Sequence, residues 1–210
     1  MGKGPAIQGK LFFLWLPVFF LALIWSAIRP HDYFTWFIEI LPAILGILIL
    51  AMTFREFQFT SLAYWLILIH SIILMIGGHY TYAEVPIFNW IRDAFDMSRN
   101  NYDKVGHFAQ GFFPAIIARE ILIRKSPLKQ GKLLSFIVVC ICLAISALYE
   151  LIEWLVAIVT GSAAEAFLGT QGDIWDTQSD MFFALIGATT SLIFLSKVHD
   201  NAISHIYNSE

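Results

Sequence analysis

Residues 169–195 read GTQGDIWDTQSDMFFALIGATTSLIFL. Three carboxylates, Asp173, Asp176 and Asp180, stand at the mouth of a run that is otherwise almost wholly apolar. That run decides the fold class, because about 20 apolar residues in a helix cross a bilayer core of about 30 Å, whereas ionisable groups at membrane depth need a reason to be there. Outward from this stretch the chain offers six such runs, near 11–28, 35–53, 60–77, 105–123, 133–160 and 174–196. Of 210 residues 58% are hydrophobic and 16% aromatic, a composition that prefers a bilayer to water. The expected architecture is all-α: one polytopic transmembrane domain over residues 1–210, with six membrane-spanning helices. The first run follows Lys3 and Lys10, is rich in Trp and Phe, and lacks a small-residue cleavage site, so it reads as a retained helix and not a signal peptide. Cys140 and Cys142 lie two apart in an apolar run and would point to nearly opposite sides of a helix. They are read as small buried hydrophobes and not as a disulfide.

With six spans the termini share a side, and the basic residues indicate which. Lys3, Lys10, Arg55, Arg119, Arg124, Lys125, Lys129, Lys132 and Lys197 fall on the side of the termini; Arg29, Arg92, Arg99 and Lys104 fall on the other. The nine-to-four excess puts both termini in the cytoplasm. Twelve of the sixteen acids then lie outside or in outer membrane halves, which makes the outer face acidic. The cluster Arg119, Arg124, Lys125, Lys129 and Lys132 is read as topology and contact with anionic lipid. Basic residues this few, flanking the membrane, give no footprint for nucleic acid.

The fourth run opens NYDKVGHFAQGFFPA, in which Asp103, His107, Gln110 and Pro114 recur at i, i+4, i+7 and i+11 and draw one polar stripe down a helix. Pro114 is expected to kink that helix and free a carbonyl. In the fifth run Glu150 and Glu153 stand one turn apart and can face one partner. In the sixth, Asp173, Asp176 and Asp180 form a single acidic stripe if the helix starts at the first, with Thr170 or Asp173 as N-cap and Ala184 and Gly187 allowing a close neighbour. The topology brings these three sets to one outer level. So many carboxylates repel one another at depth unless protons, pairing with Lys104 or Arg99, or a bound divalent cation relieve them.

The candidate site is therefore His107, Glu150, Glu153, Asp176 and Asp180 as acid–base or metal-ligating groups, with Asp103, Lys104, Gln110, Asp173 and Gln178 lining it for a substrate. Mg²⁺, Mn²⁺ or Zn²⁺ suits such a donor set. The bland alternative is a hydrogen-bonded network that locks three helices together. No GxSxG, HExxH or Gly-rich phosphate loop occurs, and no nucleophile stands out. His70 reads as a core histidine, the stretch Gly77–Tyr82 as an interfacial turn with belt tyrosines, and Glu84–Arg99 as a surface segment with an amphipathic stretch, a candidate lid. Membrane lipids are the expected partners. Three functions stand: binding or modifying an envelope lipid or anchored head group, proton- or cation-coupled transport with Glu150 and Glu153 as relays, and a non-enzymatic scaffold. The inner halves of the fifth and sixth runs are nearly all apolar, which favours a one-sided site.

In order along the chain, DKVGHFAQGFFPA, ARE, SALYELIEW and FLGTQGDIWDTQSDM resemble the YjdF-type family of bacterial inner-membrane proteins over roughly residues 75–195. More distantly, Asp103-Lys104 with His107, a glutamate in a later helix, and Asp176 with Asp180 are similar to VanZ-like membrane proteins. The chain departs from the VanZ-like pattern at Glu153, where a Gln is usual, and at Thr177-Gln178-Ser179, where Arg and Asn occur. The resemblance implies a multi-pass bacterial cytoplasmic-membrane protein in which Asp103, Lys104, His107, Glu150, Glu153, Asp173, Asp176 and Asp180 carry the motifs; it implies no named reaction.

Overall fold

The computed structural model describes residues 6–161, 167 and 170–207, with side chains described from Leu14 to Ile206. Lys3 lies outside these residues. The described chain is all-helical: α1 (Ala6–Ala27), α2 (Tyr33–Thr53), α3 (Ser61–Tyr80), a 3-10 turn at Tyr82–Glu84, α4 (Pro86–Ala94), α5 (Tyr102–Lys125), α6 (Lys132–Thr160) and α7 (Asp176–Tyr207). In hydrocarbon every backbone N–H and C=O must find its partner inside the chain, and a helix achieves this within one segment. Side chains finish two of the ends. Asp32 accepts from Thr35 N at 2.7 Å to start α2, and Thr60 accepts from Ala63 N at 3.2 Å to start α3.

Among the described residues four helices are long and apolar enough to cross a membrane: Tyr33–Thr53, Ser61–Tyr80, Lys132–Thr160 and Asp176–Ile206. Six were expected. The apolar helical stretch Leu14–Ala27 is shorter, and α5 carries Asp103, Lys104, His107, Arg119 and Glu120, which dilute its apolar character. The sixth run also continues further than the sequence indicates, to Tyr207. Arg119 explains that extension, donating to His199 Nδ1 at 2.9 Å and to Asp200 Oδ1 at 2.5 Å and so pinning the last turns of α7 to α5.

The helices form two groups. Trp15 and Phe19 of α1, Ile40 and Ala43 of α2, and Ala63, Tyr64, Leu68 and Met75 of α3 make one buried cluster; Ala115 of α5, Leu134, Val138 and Cys142 of α6, and Ala188 and Leu192 of α7 make another. Leu66 of α3 against Ala109, Phe113 and Ile116 of α5 joins them. Lipid tails are as apolar as Leu, so close packing and not water exclusion must hold such helices together. Glycine provides it: a Cβ on Gly111 would lie 1.9 Å from Ala184 O, and one on Gly187 2.1 Å from Phe108 O. Thus α5 and α7 touch backbone to backbone. The apolar residues left exposed, such as Leu21, Ile49, Met52 and Val159, form the lipid-facing surface.

Polar contacts fix which helix ends share a level. At one end Glu120 accepts from Thr60 N at 2.8 Å, Thr60 Oγ1 at 2.7 Å and Arg124 Nη1 at 2.8 Å, and His199 Nε2 lies 3.0 Å from it. Arg119 donates to His199 Nδ1, so Nε2 carries the proton given to Glu120. Arg119 and Glu120 are both buried, which corrects the reading of Arg119 as a flanking charge. At the other end His31 N donates to His79 O at 2.8 Å, and His79 Nδ1 meets Ser26 O at 3.1 Å. His79 therefore joins α1 to α3 and takes no part in the carboxylate cluster. Gly77 and Gly78 are helical and not a turn; the Tyr82 ring occupies the space a Gly77 side chain would need, and the chain reverses at Thr81, φ 60°.

Candidate functional site

The starts of α5 and α7 meet at the end bearing His79, and an ion-pair network ties them. Arg99, in the segment before α5, is its centre. Its Nη1 donates to Asp176 Oδ1 at 2.6 Å and Asp173 Oδ2 at 3.1 Å, and its Nη2 to Asp103 Oδ2. Lys104 spends its three N–H groups on Asp176 Oδ1 at 2.7 Å, Ser179 Oγ at 2.7 Å and Asp180 Oδ1 at 2.9 Å. Burial alone would lower the Arg99 guanidinium, but the hydrogen bond to Asp176 and the charge of Asp103 push it up, so it stays charged. Lys104 is thus committed to two carboxylates and a hydroxyl of α7, with no N–H left for an incoming anion.

The acidic stripe expected from Asp173 to Asp180 is broken at its first member. The helix starts at Asp176, so Asp173 lies in the preceding turn, where Oδ1 accepts from Trp175 N at 2.9 Å. Neither Thr170 nor Asp173 caps α7; Thr170 O instead accepts from Asp173 N at 2.9 Å. The Trp175 N–H holds the Asp173 carboxyl below its ordinary range; desolvation opposes this, and Arg99 and Lys104 add to the lowering. Gln178 is exposed and stands apart from the network. Gln171 does the work in that loop, accepting from Asn100 N at 2.9 Å and donating to Asn100 O at 2.8 Å. Asn100 is fully buried and also donates to Val85 O and Asn89 Oδ1, so it fastens α4 beside the two helix starts. The surface segment expected between 84 and 99 is this helix, with Ile87 and Trp90 exposed.

Beneath the network lies a cavity of about 300 Å³. Its polar lining comes from Glu39 of α2, His70 of α3, Tyr82, Asp103, His107 and Gln110 of α5, Tyr149 and Glu153 of α6, and Asp176 and Asp180 of α7. His107 is the pivot: Nδ1 lies 3.2 Å from Gln110 Oε1 and 3.7 Å from Glu150 Oε1, and Nε2 lies 3.8 Å from Asp180 Oδ2. Glu150 and Glu153 do not share a partner. Glu150 turns toward His107, whereas Glu153 lines the cavity with Glu39. Tyr149 donates to Glu39 Oε2 at 3.0 Å and links α6 to α2. Glu39, Tyr149 and Tyr82 escaped the reading of the sequence, although a lone carboxylate inside YFTWFIEILPAILG was the available signal. His70 stacks on Phe113 as a core histidine would, yet it also borders the cavity, and its Nε2 has no hydrogen-bond partner.

Two neutralising cations face Asp103, Asp173, Asp176 and Asp180, and neither pairs with Glu39, Glu150 or Glu153. Pro42 and Pro114 line the cavity too, and each removes the N–H that would have bonded the carbonyl four residues before it, Ile38 and Gln110. The chamber is therefore rich in acceptors, and no Lys or Arg is among its lining residues.

Comparison with known proteins agrees with the membrane reading. No solved structure matches the chain. Inner membrane protein YjdF of Escherichia coli (strain K12) is 52% identical over 179 residues, which cover 85% of this chain and 86% of that protein. With that relative and the apolar helices described above, the chain is a bacterial inner-membrane protein. A family model described as "Predicted membrane protein (DUF2238)" matches residues 11–201, nearly the whole chain, and the chain belongs to that family.

Proposed function

We propose that the chain binds an envelope amphiphile from within the bilayer, seating its head group among the carboxylates of the α2–α3–α5–α6–α7 cavity. One observation carries this reading: a chamber with an acceptor-rich polar end is walled on one flank by Ile145, Leu148 and Ile152, apolar residues that are also exposed on the lipid-facing surface. α2 packs on α3, and α6 packs on α5 and α7. The gap between α2 and α6 is bridged by the Tyr149–Glu39 hydrogen bond, and an acyl or prenyl tail enters there. The head group this suits bears hydroxyls or an amine, since Arg99 and Lys104 are engaged by the residues around them and the lining holds five carboxylates, Glu39, Asp103, Glu153, Asp176 and Asp180. His107, Glu150, Glu153, Asp176 and Asp180 surround it as acid–base groups.

The same reading takes α1, α2, α3, α5, α6 and α7 as six spans with both termini in the cytoplasm, on the nine-to-four excess of basic residues. The cavity then opens on the extracytoplasmic half. The backbone contact of α5 with α7 and the apolar cluster of Ala115, Val138, Cys142 and Leu192 stand between it and the opposite end, which supports a one-sided site over a through-path. The test is native mass spectrometry of protein purified in mild detergent, beside Leu148→Trp, which narrows the gap from an exposed position, and Glu153→Gln. Wild type should retain an envelope lipid and Leu148→Trp should lose most of it. No retained lipid in wild type, or equal retention in Leu148→Trp, overturns the reading.

A further inference from the structure

The carboxylates at this end of the bundle fall into two groups of different character. Asp103, Asp176 and Asp180 come close enough to share an ion, but Arg99 and Lys104 already lie among them at hydrogen-bonding distance. Two resident cations leave a third little to gain there. His107, Glu150 and Asp180 also each offer a ligand atom within 4.8 Å of the others, and all three are buried. No Lys or Arg bonds the Glu150 member of this second group. Asp180 divides its two oxygens, Oδ1 accepting from Lys104 at 2.9 Å and Oδ2 facing His107 Nε2 at 3.8 Å.

A second, independent observation points to a ligand. Glu150 Oε1 is fully enclosed, on a side chain only 7% exposed, and has no hydrogen-bond partner. A carboxylate oxygen left so incurs a desolvation cost that a cation, a proton donor or protonation of the carboxyl itself offsets. The His107 ring is set correctly for a cation. Gln110 Oε1, which only accepts, lies 3.2 Å from Nδ1, so the proton sits on Nδ1 and the Nε2 lone pair faces Asp180. A ligating histidine ordinarily directs its other N–H to such an oxygen. The 3.8 Å between His107 Nε2 and Asp180 Oδ2 is too long for a hydrogen bond and close to the ~3.4 Å edge of a tetrahedron with metal bonds of about 2.0–2.1 Å; Glu150 Oε1 lies 3.7 Å from the other ring nitrogen, Nδ1, also too far for a hydrogen bond.

The geometry points to a divalent transition-metal site, for Zn²⁺ or Mn²⁺, formed by His107 Nε2, Glu150 Oε1 and Asp180 Oδ2 at the polar end of the lipid cavity. One imidazole with two carboxylates suits these borderline ions better than Ca²⁺, which prefers an all-oxygen shell. Three protein ligands leave a coordination position toward the cavity, where a head-group oxygen or water would sit. Of the candidate ligands read from the sequence, Asp176 is excluded by its two cationic partners, and Glu153 lies outside the trio. The functional meaning of the site rests on the lipid reading, while its existence does not.

The test is elemental analysis of purified protein, equilibrated with Zn²⁺ or Mn²⁺ and then exchanged into metal-free buffer, with retained lipid read in the same samples by native mass spectrometry. Glu150→Gln is the principal variant, because it keeps the shape of the side chain while removing its charge, and Oε1 has no hydrogen-bond partner to lose; Asp93→Asn, at an exposed acid, is the control. Wild type and Asp93→Asn should hold about one ion per chain. Glu150→Gln and His107→Gln should lose it while still melting cooperatively. Less than a stoichiometric ion in wild type, or an ion retained by Glu150→Gln, overturns the metal site whatever the lipid result. An ion bound and lost as stated in protein that retains no lipid upholds the metal site and removes only the lipid reading.

Discussion

Lys104 shows what one residue does in this protein. Its ammonium is the shared partner of Asp176, Ser179 and Asp180, and all of these side chains are largely removed from water. Removing one member of a buried ion pair leaves the other charge uncompensated, at about 3–5 kcal/mol. Lys104→Met is therefore expected to lower stability by that order, read as thermal melting in detergent, and the double variant Lys104→Met with Asp180→Asn should recover part of the loss. Asp173 gives a pH signature from the rim of the same network. Its carboxyl is held below the unfolded value of about 3.9. A depressed carboxylate contributes stability that is present above the unfolded value and lost as pH falls through the folded one. From pH 7 down to about 5 wild type should thus melt above Asp173→Asn by a constant margin, and below pH ~4 that margin should shrink as wild type falls more steeply. The aspartates, Lys104 and His107 were legible in the sequence because ionisable residues at helical spacing in apolar runs declare themselves. Glu39 was not, having no charged neighbour in its own helix, and Gln178 misled because its proximity in sequence to Asp176 says nothing of the direction its side chain takes.

At the scale of elements, the site depends on α5 and α7 lying backbone to backbone, since only that approach lets Lys104 on one helix reach Asp176 and Asp180 on the other. Glycine at 111 and 187 sets the distance. A Cβ at either position would meet carbonyl oxygen at about 2 Å, a clash with main chain that no rotamer change relieves. Gly111→Ala and Gly187→Ala should each destabilise by about 1–3 kcal/mol or more, as overpacking does. Gly46→Ala in α2, whose Cβ would meet nothing within 4 Å, should be neutral or stabilising by up to about 1 kcal/mol through helix propensity. The comparison separates a close contact from a general intolerance of added methyl groups. The apolar runs made the helices readable, and Ala184 and Gly187 announced a close neighbour without naming it. The far end of α7 was less readable, because KVHDNAISHIY is not apolar and is held helical by Arg119 reaching across from α5, a contact between residues 80 and 81 positions apart.

For the whole molecule, the number of spans and their direction determine what the cavity can meet. Contacts at the two ends already alternate the helices: α5 ends beside the start of α3 and the end of α7, and the starts of α5 and α7 meet beneath the ends of α1 and α3. If α1 and α5 cross with the other four, the α5–α6 connection and the segment around α4 lie on opposite faces of the membrane, with the first in the cytoplasm. In a background where Cys140 and Cys142 are Ala, single cysteines at four exposed positions test this arrangement. Ala94→Cys and Ile174→Cys should react with a membrane-impermeant maleimide in intact spheroplasts, and Glu56→Cys and Lys129→Cys only after permeabilisation. Ala94 and Lys129 labelling from one side would show that α5 does not cross, and six spans would be wrong. The reverse pattern, with Glu56 and Lys129 labelled in intact spheroplasts, would keep six spans and invert them. The carboxylate cavity would then face the cytoplasmic leaflet, and the head group it holds would have to come from lipids on that side.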